Sequence, residues 1–165
     1  MEVRDKIVRA YKRLITNDSY LLENDVNERS ITHHLAIYIQ DEFPEYHVDC
    51  EYNRNGLDVK KLMNYRNYQN NKNKEENIDK EYSVYPDIIV HCRNKDNNYI
   101  IIEAKKISTK EECLKSSECC CDKCKLEDYK RTLKYTYAFY VLFPTGKKIK
   151  NLDTEKLTSF IEIIE

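Results

Sequence analysis

What is missing from this chain narrows its function before any motif is read. No long apolar run occurs, and no apolar stretch follows a basic N-terminus, so neither a membrane span nor a secretion signal is expected and the cytosol is the expected compartment. Neither sign of charge is in excess. Lys and Arg number 28 against 29 Asp and Glu, which leaves a formal net charge of −1 and a pI of about 6.4. Such a field does not steer the whole protein onto a polyanion, so any grip on nucleic acid has to be local, and tight non-specific binding is disfavoured. Tryptophan is absent while Tyr occurs 14 times, so a single aromatic beside a site is weak evidence for base stacking. The seven Cys are an odd number, and without an export signal they argue for reduced thiols rather than a disulfide framework.

What is present suits one domain spanning residues 1–165, with 41% hydrophobic residues to fill a core. Val3, Ile7, Ala10 and Leu14 form a helical apolar stripe that ends at the polar Asn17-Asp18-Ser19. A second helix is predicted from about Val26 to Glu42, stopping before Pro44, then a strand from Tyr46 to Asn53. Residues 66–80, RNYQNNKNKEENIDK, are almost free of apolar side chains and read as an exposed or disordered insertion. A helix is predicted over Asp122 to Tyr135, a buried strand over Tyr137 to Phe143, and a last helix over Asp153 to Ile164 with Leu157, Phe160, Ile161 and Ile164 inward. His33 and His34 sit side by side on the second helix and read as structural or polar contacts.

The most informative stretch is Tyr85 to Lys106, YPDIIVHCRNKDNNYIIIEAKK. Two short β-branched runs flank the polar cluster Arg93-Asn94-Lys95-Asp96-Asn97-Asn98, the pattern of a β-hairpin. A turn centred near Lys95 brings Asp87 opposite Glu103. Strand alternation then puts Glu103 and Lys105 on one face and Ala104 and Lys106 on the other. Two carboxylates facing each other beside apolar strands repel and are costly to desolvate, so something positive has to compensate them. A divalent ion with hard oxygen ligands does this, Mg²⁺ or Mn²⁺, with Lys105 placed to hold a water or to neutralise charge on a phosphate. The plain alternative is an edge hairpin with charged ends.

Pro86-Asp87, a strand pair, then Glu103-Ala104-Lys105 resembles the signature of the PD-(D/E)xK nuclease superfamily. The resemblance implies a three-layer α/β fold of restriction-endonuclease-like type, a mixed sheet with an antiparallel meander and then a βαβ crossover, flanked by helices. It also implies a Glu on the preceding helix that completes the metal environment, which Glu28 matches. Glu28 has a second reading, because Asp25-x-x-Glu28 has the form of a capping box. Catalytic and metal-binding candidates are therefore Glu28, Asp87 and Glu103, with Lys105 catalytic. Tyr52, Asn53 and Arg54 are candidate substrate contacts, and Lys130 or Arg131 on the following helix is a candidate extra basic residue. The implied activity is Mg²⁺-dependent hydrolysis of phosphodiester bonds, endonucleolytic rather than exonucleolytic. The implied partner is DNA ahead of RNA, in a restriction, phage or mobile-element setting, with a homodimer compatible with the sequence. The alternative is a non-catalytic module of the same fold that binds nucleic acid or a protein.

Cys113, Cys119, Cys120, Cys121 and Cys124 form a dense cluster, read as a Cys-rich loop over 113–124. Cys121-x-x-Cys124 has zinc-knuckle spacing, and Cys113 with Cys119 or Cys120 would complete a structural Zn²⁺ site, with iron–sulfur ligation as the other metal option. A thiol-rich loop kept reduced is the simpler reading, and a redox or zinc-sensing protein built around it is a third function class.

Overall fold

A computed structural model describes residues 2–55, 58–63, 81–93, 95, 97–107, 117–150 and 152–165. Helix α1 (Val3–Asn17) buries Ile7, Ala10 and Leu14 of the expected stripe together with Val8 and Tyr11, while Val3 is partly buried. A short helix α2 (Ser19–Glu23) follows. Helix α3 (Glu28–Glu42) starts two residues later than the apolar periodicity suggests, because its cap is Asn27, whose side chain accepts from Arg29 N at 2.9 Å. The Asp25–Glu28 capping box does not form. Asp25 has φ +50° and pairs instead with Lys106, its carboxylate 2.9 Å from Nζ.

Strand β1 (His47–Cys50) ends where Glu51 takes a left-handed backbone, φ +49°, which explains why it stops short of Asn53. Two small antiparallel pairs follow, β2 (Arg54–Asn55) with β3 (Asp58–Val59) and β4 (Lys61–Met63) with β5 (Glu81–Ser83). The expected insertion at 66–80 lies outside the described residues. Strands β6 (Ile88–Cys92) and β7 (Asn97–Ile107) make the expected hairpin, and α4 (Ser117–Leu133) carries the chain over to β8 (Tyr137–Pro144), parallel to β7. A turn of helix, α5 (Lys147–Lys150), and a 3-10 helix (Thr154–Phe160) lead to β9 (Ile161–Ile164), antiparallel to β8. The single helix expected over 153–164 is therefore corrected. Leu157, Phe160, Ile161 and Ile164 are all buried, but Ile161-Glu162-Ile163-Ile164 is β-branched and adds to the open edge of β8.

The five-stranded sheet has the order β1-β6-β7-β8-β9, mixed because only β7 and β8 are parallel. Ile88–Val90, Ile100–Ile102 and Ala138–Val141 are buried without alternation, as central strands covered on both faces must be. Register identifies the covers. Lys106 and Phe143 are paired; the Phe143 ring stacks on Tyr11 of α1, and Lys106 reaches the residues before α3. Glu103, Tyr140 and Glu162 line up on the other face, where Lys125 and Lys123 of α4 meet them. Among the described residues no helix is long and apolar enough to cross a membrane.

The reading of 113–124 as a loop is also corrected in part. Helix α4 begins at Ser117, its stretch to Leu133 containing no Gly or Pro, so Cys119, Cys120, Cys121 and Cys124 are helical. Cys113 and the side chains of Cys119, Cys120 and Cys121 lie outside the described residues, and so does any zinc site they would form.

Candidate active site

The end of β6 determines the chemistry here. Ile88 pairs with Ile102, and one further step puts Asp87 opposite Glu103. A bulge between Val90 and His91 shifts the pairing by one on the turn side only, so His91 faces Asn98 while the Asp87 end keeps its register. Pro86 has no N–H and the ladder stops, leaving successive N–H groups of β7 without a strand partner. Side chains take their place: Asp87 Oδ2 accepts from Ala104 N at 2.8 Å and Glu28 Oε2 from Lys106 N at 2.7 Å. Each acid thus uses one oxygen to finish the sheet edge. Lys106 Nζ, donating to the carbonyls of Asp25 and Val26, anchors the start of α3 and so positions Glu28.

Glu103 is buried on the α4 face, with Lys125 Nζ 2.8 Å from Oε1. That ammonium is the charge partner of Oε1. Burial is the main reason the Glu103 carboxyl is pushed up to about 8, with the charges of Asp87 and Asp122 adding and Lys125 opposing. Asp87 is pushed up to about 6, again chiefly by burial and further by Glu28 and Asp122, against the Ala104 N–H and Lys125. One lysine does not offset this group of acids, so the pair retains a proton to unusually high pH. Lys105, two residues on and on the same strand face as Glu103, is half-buried.

A cleft of about 580 Å³ opens beside these residues. Glu28, Thr32 and Asp87 line it, with Arg29, Cys50, Glu51 and Tyr85 as its more exposed members. The cleft thus joins Asp87 to Glu28, while Glu103 lies behind it in the sheet. Cys50, whose residue is exposed at the surface while its thiol sits among acids, is pushed up to about 11 by partial desolvation and by Asp49, Asp87 and Glu51, which favours the protonated thiol.

The remaining sequence candidates go elsewhere. Tyr52 packs its ring on His91 at 4.9 Å and carries Lys60 Nζ over its face at 4.8 Å. The Asn53 carbonyl accepts from Lys60 N, and Arg54 begins β2; none of the three lines the cleft. Lys130 Nζ donates to Ile164 O, and Arg131 pairs with Asp128 three residues back. The helix residue that meets the acids is Lys125. Its signal was present in the sequence, since Asp122, Lys125, Leu126, Tyr129 and Leu133 follow one helical stripe, so a lysine sits among residues that face the core.

A second polar group, built on Asp49 of the strand whose polar residues read as substrate contacts, occupies the outer edge of the same sheet face. Asp49 Oδ2 lies 2.8 Å from His91 Nε2, and Arg93 grips both Asp49 oxygens. Burial alone would raise Asp49, but Arg93 and His91 outweigh it and hold the carboxyl below its ordinary range. The fully buried Lys60, held down to about 8 by burial, donates to the carbonyls of Tyr52 and Arg54. Every partner here is internal, so the cluster fastens the small sheets to the main one.

Among the described residues no group of three His, Cys, Asp or Glu side chains is gathered as a metal site. Mg²⁺ asks for less, taking one or two carboxylates and keeping several waters. Asp87 has an oxygen left over from the Ala104 bond and Glu103 is a second carboxylate beside it, so the donor set fits such an ion. No protein-family model matches the chain, and no curated protein and no solved structure is similar to it.

Proposed function

We propose that this protein is a metal-dependent nuclease of restriction-endonuclease-like fold, hydrolysing phosphodiester bonds in DNA ahead of RNA. One observation carries the reading: Asp87, the residue before β6, continues the register to Glu103 of β7, and both are pushed toward neutrality, Asp87 on the cleft wall and Glu103 behind it. Perturbed acids in a cleft are candidates for chemistry on physical grounds.

Asp87 and Glu103 would hold Mg²⁺ or Mn²⁺, with Glu28 supporting them. Such an ion supplies Lewis-acid stabilisation of charge on a phosphoryl oxygen. Lys105, on the Glu103 face of β7, holds the attacking water or neutralises charge that builds on the phosphate. Lys125 fixes the Glu103 carboxylate from behind and keeps it ionisable. Glu28 and Asp87 each spend one oxygen on the β7 edge, which fixes their orientation before substrate arrives.

The test is incubation with linear, circular and single-stranded DNA and with RNA, in Mg²⁺, Mn²⁺ or EDTA. A product that disappears in EDTA is expected. A complete lack of product with every substrate in both metals would overturn the reading.

A further inference from the structure

An exposed ion pair lines the cleft. Arg29 is the most exposed residue of its ion pair, 80% accessible, and it lies 2.6 Å from Glu51, itself nearly half exposed. A solvent-exposed pair of this kind contributes little stability, so its guanidinium can exchange one anionic partner for another. Glu51 is held in place by more than that pair. Its left-handed backbone is unusual for a glutamate, and its N–H donates to the carbonyl of Asp87 at 3.3 Å. The residue that occupies Arg29 is thus tied to the acid inside the cleft. Opposite in character is Tyr85, a large aromatic more than half exposed on a cleft wall and restricted by the Pro86 that follows it. The cleft volume, about 580 Å³, is that of a small-ligand site and far short of a duplex. A net charge of −1 supplies no broad basic track for a duplex either.

We propose that Arg29 and Tyr85 receive one unpaired nucleotide of a single-stranded substrate, Arg29 on its phosphate and Tyr85 against its base, with Glu51 occupying Arg29 until the strand arrives. This rests on the nuclease reading above and names its substrate class. Arg29 suits a phosphate through its planar fork, and a tyrosine face accepts any base. Glu51 competes with the strand and so lowers affinity for short or wrongly placed phosphates.

The experiment is fluorescence anisotropy with a labelled oligodeoxynucleotide and its blunt duplex, in Ca²⁺, which takes the same oxygen ligands as Mg²⁺ in looser geometry and polarises bound water less. The single strand is expected to bind at least tenfold more tightly than the duplex. Tyr85→Ala should weaken it by about tenfold, with Tyr85→Phe restoring most of the loss. Arg29→Ala should reduce the salt slope by about 0.7, the contribution of one contact on a single strand. Glu51→Gln should tighten binding in the wild-type background and do nothing in Arg29→Ala. Equal affinity for duplex, or wild-type affinity and salt slope in Tyr85→Ala and Arg29→Ala, would overturn this proposal while leaving the nuclease reading standing. Absence of any nucleic-acid binding by the wild type would overturn both. These side chains are surface groups, so unchanged melting temperatures are expected to accompany every variant.

Discussion

Lys125 Nζ lies 2.8 Å from Glu103 Oε1, and both side chains are almost completely buried. This pair, joining α4 to the central strand β7, sets the charge balance of the acid group. Removing a single partner from a buried pair leaves an uncompensated charge. Lys125→Met is expected to destabilise most above pH 8, where Glu103 would ionise without its partner, and by less at pH 6, where Glu103 keeps a proton. The double variant Lys125→Met/Glu103→Gln should recover much of the loss. Urea unfolding at the two pH values measures all three, and a loss as large in the double variant as in the single would show that the pairing is not the cause.

Asp87 serves the fold through one oxygen and the proposed chemistry through its charge, and two substitutions separate these. Asp87→Asn keeps an acceptor for Ala104 N–H, so its stability in EDTA should stay within about 1 kcal/mol of wild type, whereas Asp87→Ala leaves that donor unpaired and should lose about 1–3 kcal/mol. An ion that binds only the folded arrangement raises the melting temperature by linkage. Both variants should lose most of the gain that Mg²⁺ or Mn²⁺ gives the wild type. An undiminished gain in Asp87→Asn would remove Asp87 as a ligand.

The acid pair also fixes a pH dependence in EDTA. Asp87 is raised from 3.8 to about 6 and Glu103 from 4.5 to about 8, so across this range the folded state binds more protons than the unfolded one. Stability from these groups is therefore fully present below about pH 4 and is lost as pH rises toward 8. Asp49, held low, acts in the opposite direction in more acidic solution, and His91, lowered chiefly by burial, opposes the trend at the acid end of the range, so the decline is read above pH 6.5. Thermal melts from that pH to 8 should show the decline in wild type and a flatter profile in Glu103→Gln. A rise in stability over that interval in wild type would contradict the burial argument.

Lys105 separates an enzyme from a binding module. Lys105→Ala is expected to lower the cleavage rate by roughly a hundredfold or more with little change in nucleic-acid affinity. In a module it would be at most one phosphate contact, and its loss would weaken binding modestly. Single-turnover kinetics and salt-dependent binding on the same variant decide, and cleavage at the wild-type rate would exclude Lys105 from the mechanism.

The hairpin was legible in the sequence because strand alternation and a polar turn fix which residues oppose each other, and the bulge at Val90 and His91 disturbed only the turn side of that register. What could not be read was set by rotation and by distant edges. Which face α4 turns to the sheet decides that Lys125, and not Lys130 or Arg131, meets Glu103. Asn27 rather than Asp25 caps α3 because Lys106, far along the chain, captures Asp25. The segment Ile161–Ile164 has residues for either a helix or a strand, and the free edge of β8 decides for the strand. Glu28, Asp87 and Glu103 were each named from sequence; that two of them cap β7 N–H groups required knowing where β6 stops.

The central claim is that Asp87 and Glu103 together hold a divalent ion, and calorimetric titration of Mn²⁺ into the metal-free protein tests it most directly. One saturable site per chain is expected, competed by Mg²⁺ and abolished by Glu103→Gln and by Asp87→Asn in variants that keep their fold by circular dichroism. Saturable binding unchanged in both variants, or no binding by the wild type, would contradict it.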